Sequence, residues 1–185
     1  MDKKQLPKAK EVLLLVDVIN PLNFPGAEDL ASPAIEAAKC IRKLKAQLRR
    51  QGIPTIYAND NYGVWQSDFK DLIRSCKKSP GPAAKLVTLL PPQRGDLTIL
   101  KPRHSAFLGT PLDLMLDQMG VKTIILAGFA TDSCIQLTAM DGFLRGYQIK
   151  VPSDCTAAES AQHKKQSLEH MQRILKCSIK PLSHG

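Results

Sequence analysis

The chain has few aromatics, no paired cysteines and no long apolar run, and each absence removes a class of function. Aromatic residues make up 5% of the 185, and none interleaves with the densest basic cluster, Lys39, Arg42, Lys43, Lys45, Arg49 and Arg50. A stacking platform for single-stranded nucleic acid needs that interleaving. The cluster instead shares a predicted helix with Ala34, Ala37, Ala38, Ile41, Leu44 and Leu48 on its other face, the pattern of a solvated helix side. No apolar run approaches the roughly 20 residues of a bilayer span. Met1 to Gln5 lacks the apolar region of a signal peptide, so a cytoplasmic location is expected. The five cysteines (Cys40, Cys76, Cys134, Cys155, Cys177) are odd in number and widely spaced, with no Cys-x-x-Cys pair. Free thiols are therefore expected. No Gly-x-Gly-x-x-Gly follows the first strand-like run, which disfavours a dinucleotide-binding dehydrogenase. Acidic residues are outnumbered, 17 against 26 basic ones, for a net charge of +9. That balance keeps a nucleic-acid or anionic-surface binder open as an alternative.

What is present is ordinary for a globular protein: 43% hydrophobic residues in a length that suits one domain, here 1–185. Apolar runs at 12–16, 54–59, 97–100, 122–127 and 147–151 read as strands, with a sixth, edge strand expected at 178–182. Helix-like segments alternate with them. Ser32-Pro33 reads as the N-cap and first residue of a helix ending near Gln51, and Gly52 as its left-handed stop. Further helices are predicted at 65–77, from Pro111 to Gly120, from Cys134 to about Arg145, and at 158–175. The segment 79–93 is proline-rich and reads as irregular with a short helical turn. This alternation implies βαβ units, right-handed crossovers and a three-layer α/β/α sandwich.

In open α/β sheets, ligands bind outside the carboxyl ends of the strands. Asp17, Asn59, Lys101 and the turn before Cys134 all fall at such ends. Cys134 sits where a helix should begin, beside free backbone N–H groups and the positive end of a helix dipole, a setting that favours a thiolate. A carboxylate can take the thiol proton and later return it to a leaving amine. A lysine can fix that carboxylate and favour the sulfur anion. Backbone N–H groups in the turn Ala130 to Cys134 can stabilise an oxyanion. Trp65 and Phe107 are candidate pocket walls, with Asn20, Asn59 and Phe129 completing the candidate substrate pocket. Cys155, also near a strand end, is a rival nucleophile without the turn–helix setting.

Three motifs carry a resemblance: Leu15-Val16-Asp17-Val18-Ile19-Asn20, Lys101-Pro102-Arg103-His104-Ser105-Ala106-Phe107 and Gly128-Phe129-Ala130-Thr131-Asp132-Ser133-Cys134. Val151-Pro152-Ser153-Asp154-Cys155-Thr156-Ala157-Ala158 supports them. In this order they resemble the isochorismatase-like cysteine hydrolases, the superfamily of nicotinamidases and N-carbamoylsarcosine amidohydrolases. The resemblance implies a Rossmann-like sandwich with a six-stranded, mainly parallel sheet. It implies a triad of Asp17, Lys101 and Cys134, a cis peptide between Phe129 and Ala130 and an oxyanion hole at Ala130 and Cys134. It implies a small-molecule amide substrate, no cofactor and a homodimer or homotetramer. The chain departs from the family at Asp17-Val18-Ile19-Asn20-Pro21-Leu22, where members often read Asp-x-Gln-Asn-Asp-Phe. It departs again at Asn59-Asp60-Asn61, where nicotinamidases carry a metal-binding Asp-x-His. The four histidines (His104, His163, His170, His184) show no close ligand spacing, so no metal is expected. The expected function is metal-independent cleavage of an amide or carbamoyl C–N bond through a thioester. The alternatives are a catalytically idle binding module on the same fold and the basic binder noted above.

Overall fold

The computed structural model describes residues 5–182. Six strands, β1 (Glu11–Val16), β2 (Thr55–Asp60), β3 (Leu97–Lys101), β4 (Thr123–Phe129), β5 (Gln148–Lys150) and β6 (Thr156–Ala157), form one sheet. Its order is β3-β2-β1-β4-β5, with β6 also on β4, and every pairing is parallel. β1 and β4 are buried along almost their whole length because both faces of the sheet are covered. Successive side chains alternate between faces. Leu13 and Leu15 join a core under α1 (Ala27–Arg50), α2 (Phe69–Lys78) and α3 (Pro82–Leu89). Val12, Leu14 and Val16 join the opposite core under α4 (Leu112–Met119), α5 (Gln136–Leu144) and α6 (Ala161–Leu175).

Four elements differ from their sequence-based expectation. α1 begins at Ala27, so Ser32-Pro33 lies inside the helix. Ala27 and Leu30 extend the buried stripe of Ala34, Ala37, Ala38 and Ile41 backwards, and burying that stripe outweighs the one hydrogen bond a proline forfeits. α2 begins at Phe69, where Asp68 and Asp71 form a reciprocal capping box, leaving Trp65 in the preceding turn. The proline-rich stretch contains the eight-residue α3, with Pro82 at its first position and Ala83, Leu86 and Val87 buried. The sixth strand is Thr156–Ala157. The segment expected as an edge strand contributes a single bridge, Ser178 to Lys150.

One close approach orients the site. Gly128 in β4 is paired with Val16. A Cβ there would sit 2.0 Å from the Val16 carbonyl oxygen, so only glycine lets the ends of β1 and β4 come this near. The Phe129–Ala130 peptide that follows is cis.

Candidate active site

Because all strands are parallel, the residues after β1, β2, β3 and β4 share one rim of the sheet. Asp17 directly follows β1 in the left-handed region (φ 54), as do Leu22 (φ 51) and Tyr62 (φ 51) nearby. Such conformations cost free energy in non-glycine residues and gather at functional sites. β2 lies between β1 and β3, so Lys101 must reach past its end to meet Asp17. The Lys101 side chain is fully buried, and its Nζ lies 2.8 Å from Asp17 Oδ2. The Asp60 backbone N–H donates to Asp17 Oδ1 at 2.7 Å, and Asp60 Oδ2 lies 3.6 Å from Lys101 Nζ. Lys101 also donates to the Arg103 carbonyl at 3.1 Å and lies 3.6 Å from Cys134 Sγ. Cys134 is half-buried beside Asp17, with Ser133 Oγ 4.0 Å from its Sγ. Residues 131–135 form a π-helical turn that leads into α5, which replaces the expected first α-turn.

The electrostatics differ from the thiolate expected at a helix start. Burial and the adjacent Asp17 carboxylate push the Cys134 thiol up to about 12, against the opposing pull of Lys101. Burial also raises the Asp17 carboxyl above its ordinary value, although Lys101, Cys134 and the Asp60 amide oppose it. Burial alone would lower the Lys101 ammonium, but Asp17, Cys134 and Asp60 together hold it above its usual value. The sulfur therefore rests as a thiol beside a carboxylate whose proton affinity is enhanced. Such a pair needs proton transfer at the moment of attack.

Asp17 and Cys134 open onto a cleft of about 360 Å³, with Lys101 buried behind them, at the small end of the roughly 300–1,000 Å³ usual for ligand pockets. Asp17, Ala130, Ser133 and Cys134 form its floor; Phe24, Leu30, Tyr62 and Phe129 its walls; Asn20, Asp60, His104 and Glu159 its polar lining. A larger groove of about 480 Å³ along β5, lined in part by Tyr147, Lys150 and Lys176, offers no carboxylate or thiol.

Asp17, Lys101 and Cys134 are thus in contact, and Asn20, Phe129 and Ala130 line the same cleft. Three expectations are corrected. Trp65 is 77% exposed and does not line the cleft, because α2 starts after it. Phe107 is core, stacked on Tyr147 at 6.0 Å. Asn59 is fully buried behind the rim, with Nδ2 donating to the Ile19 carbonyl at 2.8 Å. Cys155 is buried in a separate turn, where burial raises its thiol strongly. His104 and Asp60 stood inside quoted segments without being singled out as site residues, whereas Tyr62 and Glu159 gave no signal of their own in the sequence. His163 pairs with Asp132 at 3.5 Å, His170 is half-buried on α6 beside Arg173, and His184 lies outside the described residues. Among the described residues, no group of three His, Cys, Asp or Glu side chains is arranged to hold a metal. Within the same residues, no helix is long and apolar enough to cross a membrane.

A family model described as the isochorismatase domain matches residues 11–179. The sequence is similar to the isochorismatase family protein YaaI of Bacillus subtilis, 35% identical over 174 residues, covering 94% of this chain and 95% of that one. It is also similar to maleamate amidohydrolase of Pseudomonas putida, 29% identical over 157 residues, covering 79% and 71% of the two chains. The structure is similar to N-carbamoylsarcosine amidase from Thermoplasma acidophilum, with a TM-score of 0.68, 25% identity and coverage of 94% and 96%.

Proposed function

The chain is a member of the isochorismatase family, and from that footing we propose that it hydrolyses the C–N bond of a small amide or carbamoyl compound through a thioester on Cys134. The observation that carries this reading is the contact of one carboxylate, one ammonium and one thiol at the end of a small cleft. Asp17 takes the Cys134 proton as Sγ attacks the substrate carbonyl carbon. The N–H groups of Ala130 and Cys134 receive the resulting oxyanion, each worth about 2.7–4 kcal/mol in comparable sites. The tetrahedral species collapses, the C–N bond breaks, and the Asp17 proton leaves with ammonia or an amine. Water then enters and gives its proton to Asp17. Its oxygen attacks the thioester, the C–S bond breaks, and the Asp17 proton returns to sulfur as the acid departs. Lys101 keeps Asp17 ionised between these transfers and offsets negative charge on sulfur. No step is routed through a metal, since the region that would supply an Asp-x-His reads Asn59-Asp60-Asn61.

We place the protein in the cytoplasm as a homodimer or homotetramer, with the exposed Leu108, Leu137 and Leu144 as contact surface. Sedimentation at micromolar concentration tests the assembly, and a monomer would refute it. The chemistry is tested with a panel of small amides read by ammonia release, alongside intact-mass detection of an adduct with electrophilic amide analogues. A Cys134 adduct and turnover lost in Cys134→Ala are expected. Wild-type protein that forms no adduct and releases no ammonia would overturn the reading in favour of an idle module.

A further inference from the structure

We propose that the cleft selects small amides whose far end is cationic or neutral and rejects those whose far end is a carboxylate. The inference rests on the reading of this cleft as the site of amide hydrolysis. It follows from the charges of the lining. Three carboxylates, Asp17, Asp60 and Glu159, line the cleft, while Lys101 is fully buried, is no part of the lining and is committed to two of them at 2.8 and 3.6 Å. Glu159 has no ion-pair or hydrogen-bond partner among the described residues. Its Oε2 would lie 3.0 Å from a Cβ on Gly26, so the missing side chain there is what gives the carboxylate its place. No arginine lines the cleft, and Arg103 faces the neighbouring groove with Leu108 and Met140. The neutral polar groups do not redress the balance. Asn20 spends its carbonyl oxygen on the Leu22 amide at 2.8 Å, and His104 is a single imidazole. The walls add the aromatic side chains of Phe24, Tyr62 and Phe129, and aromatic ring faces attract cations and not anions.

This local sign opposes that of the whole molecule, whose net charge is +9. Long-range attraction would draw an anionic substrate to the surface. The cleft, where low-dielectric walls focus the field, would turn it away. The far end of a bound amide therefore decides selectivity, and Glu159 is the residue that sets it.

Two independent readings test this. The first needs no turnover: Cys134 is labelled with methanethiosulfonates bearing a 2-aminoethyl or a 2-sulfonatoethyl group. Each forms a mixed disulfide on Sγ and releases methanesulfinate. Rates at the Cys134 peptide are followed by mass spectrometry and normalised to free cysteine. Labelling by the cation about tenfold faster is expected, with the ratio narrowed by added salt, narrowed by Glu159→Gln and inverted by Glu159→Lys. The second is the kcat/KM order for amides of one size: 3-aminopropanamide, then butyramide, then succinamate. An equal or faster rate with the sulfonate, a ratio unmoved by both Glu159 variants, or succinamate as the preferred substrate would overturn the inference. Turnover with succinamate preferred would leave the hydrolase standing and remove the selectivity. Selective labelling without turnover of any amide would do the reverse.

Discussion

Among the described residues two lysines are buried, and they do different work. Lys45, on α1, donates to the Tyr57 hydroxyl at 2.8 Å, the Pro91 carbonyl at 3.3 Å and Asp96 Oδ2 at 2.5 Å. Its three N–H groups have three oxygen partners, so the ammonium is saturated and ties α1 to the loop before β3. Lys101 has two oxygen partners at hydrogen-bonding distance, Asp17 and the Arg103 carbonyl, and a thiol as its third neighbour. Burial dominates at Lys45 and leaves its ammonium below the usual value. At Lys101 three anionic or ionisable neighbours overcome burial. A buried ion pair is weak evidence for stability and no evidence for catalysis. What separates the two sites is a partner that can react, and a cleft that lets a substrate reach it.

The comparison is broken most directly at sulfur. Cys134→Ala should abolish amide turnover, a fall of about a thousandfold or more by analogy with nucleophile removal elsewhere, while thermal unfolding stays within a few degrees of wild type. Retained turnover would sever chemistry from the Lys101 site. Next, each lysine is replaced by methionine. Both variants should lose about 3–5 kcal/mol in chemical denaturation, since each takes the nearest cation from a buried carboxylate. Only Lys101→Met should also lose kcat, and an equal kcat loss in Lys45→Met would erase the distinction.

The pH profile sharpens the contrast further. Asp17 must be ionised to accept the thiol proton, so kcat/KM rises as pH rises through its folded value, which burial puts above 3.8. Lys101 lowers that value, so any residual activity of Lys101→Met should show this acid limb shifted to higher pH. Cys134 titrates only at about 12, so no limb is expected near pH 8.5, where an ordinary thiol would ionise. A limb there would argue for a free, solvated sulfur. The smallest effect is at Tyr57→Phe, which removes one partner of Lys45 and a donor to the Leu90 carbonyl at 3.2 Å. About 1–2 kcal/mol of stability should be lost, with kcat/KM unchanged.

Much of the frame was legible because its signals are local. The runs at 12–16 and 122–127 are apolar on both faces, which parallel strands require, and Asp17 and Lys101 stand where such runs stop. Gly52 follows α1 in the left-handed conformation (φ 76) expected of it. Ser32-Pro33 misled because a capping signal is local, whereas burial of Ala27 and Leu30 under the sheet is not. Trp65 and Phe107 misled because an aromatic side chain suits a core and a pocket wall equally well. Tyr62 and Glu159 were invisible as site residues, since each depends on where a loop lies over the rim, and Asp60 joins them because the last pair of β2 and β3 sets it opposite Lys101.

By itself, the sequence determined the succession of strands and helices and the chemical groups that terminate three of the strands. A parallel sheet carries all its carboxyl ends to one side, so the list of groups follows from the succession. Tertiary structure alone decided that Lys101 reaches past β2 to Asp17, that the Cys134 proton stays on sulfur at rest, and that Glu159 lines the cleft with no ion-pair partner among the described residues. These depend on burial and on distances of a few ångströms between segments far apart in the chain, and Coulomb and solvation energies are functions of those quantities, not of sequence spacing.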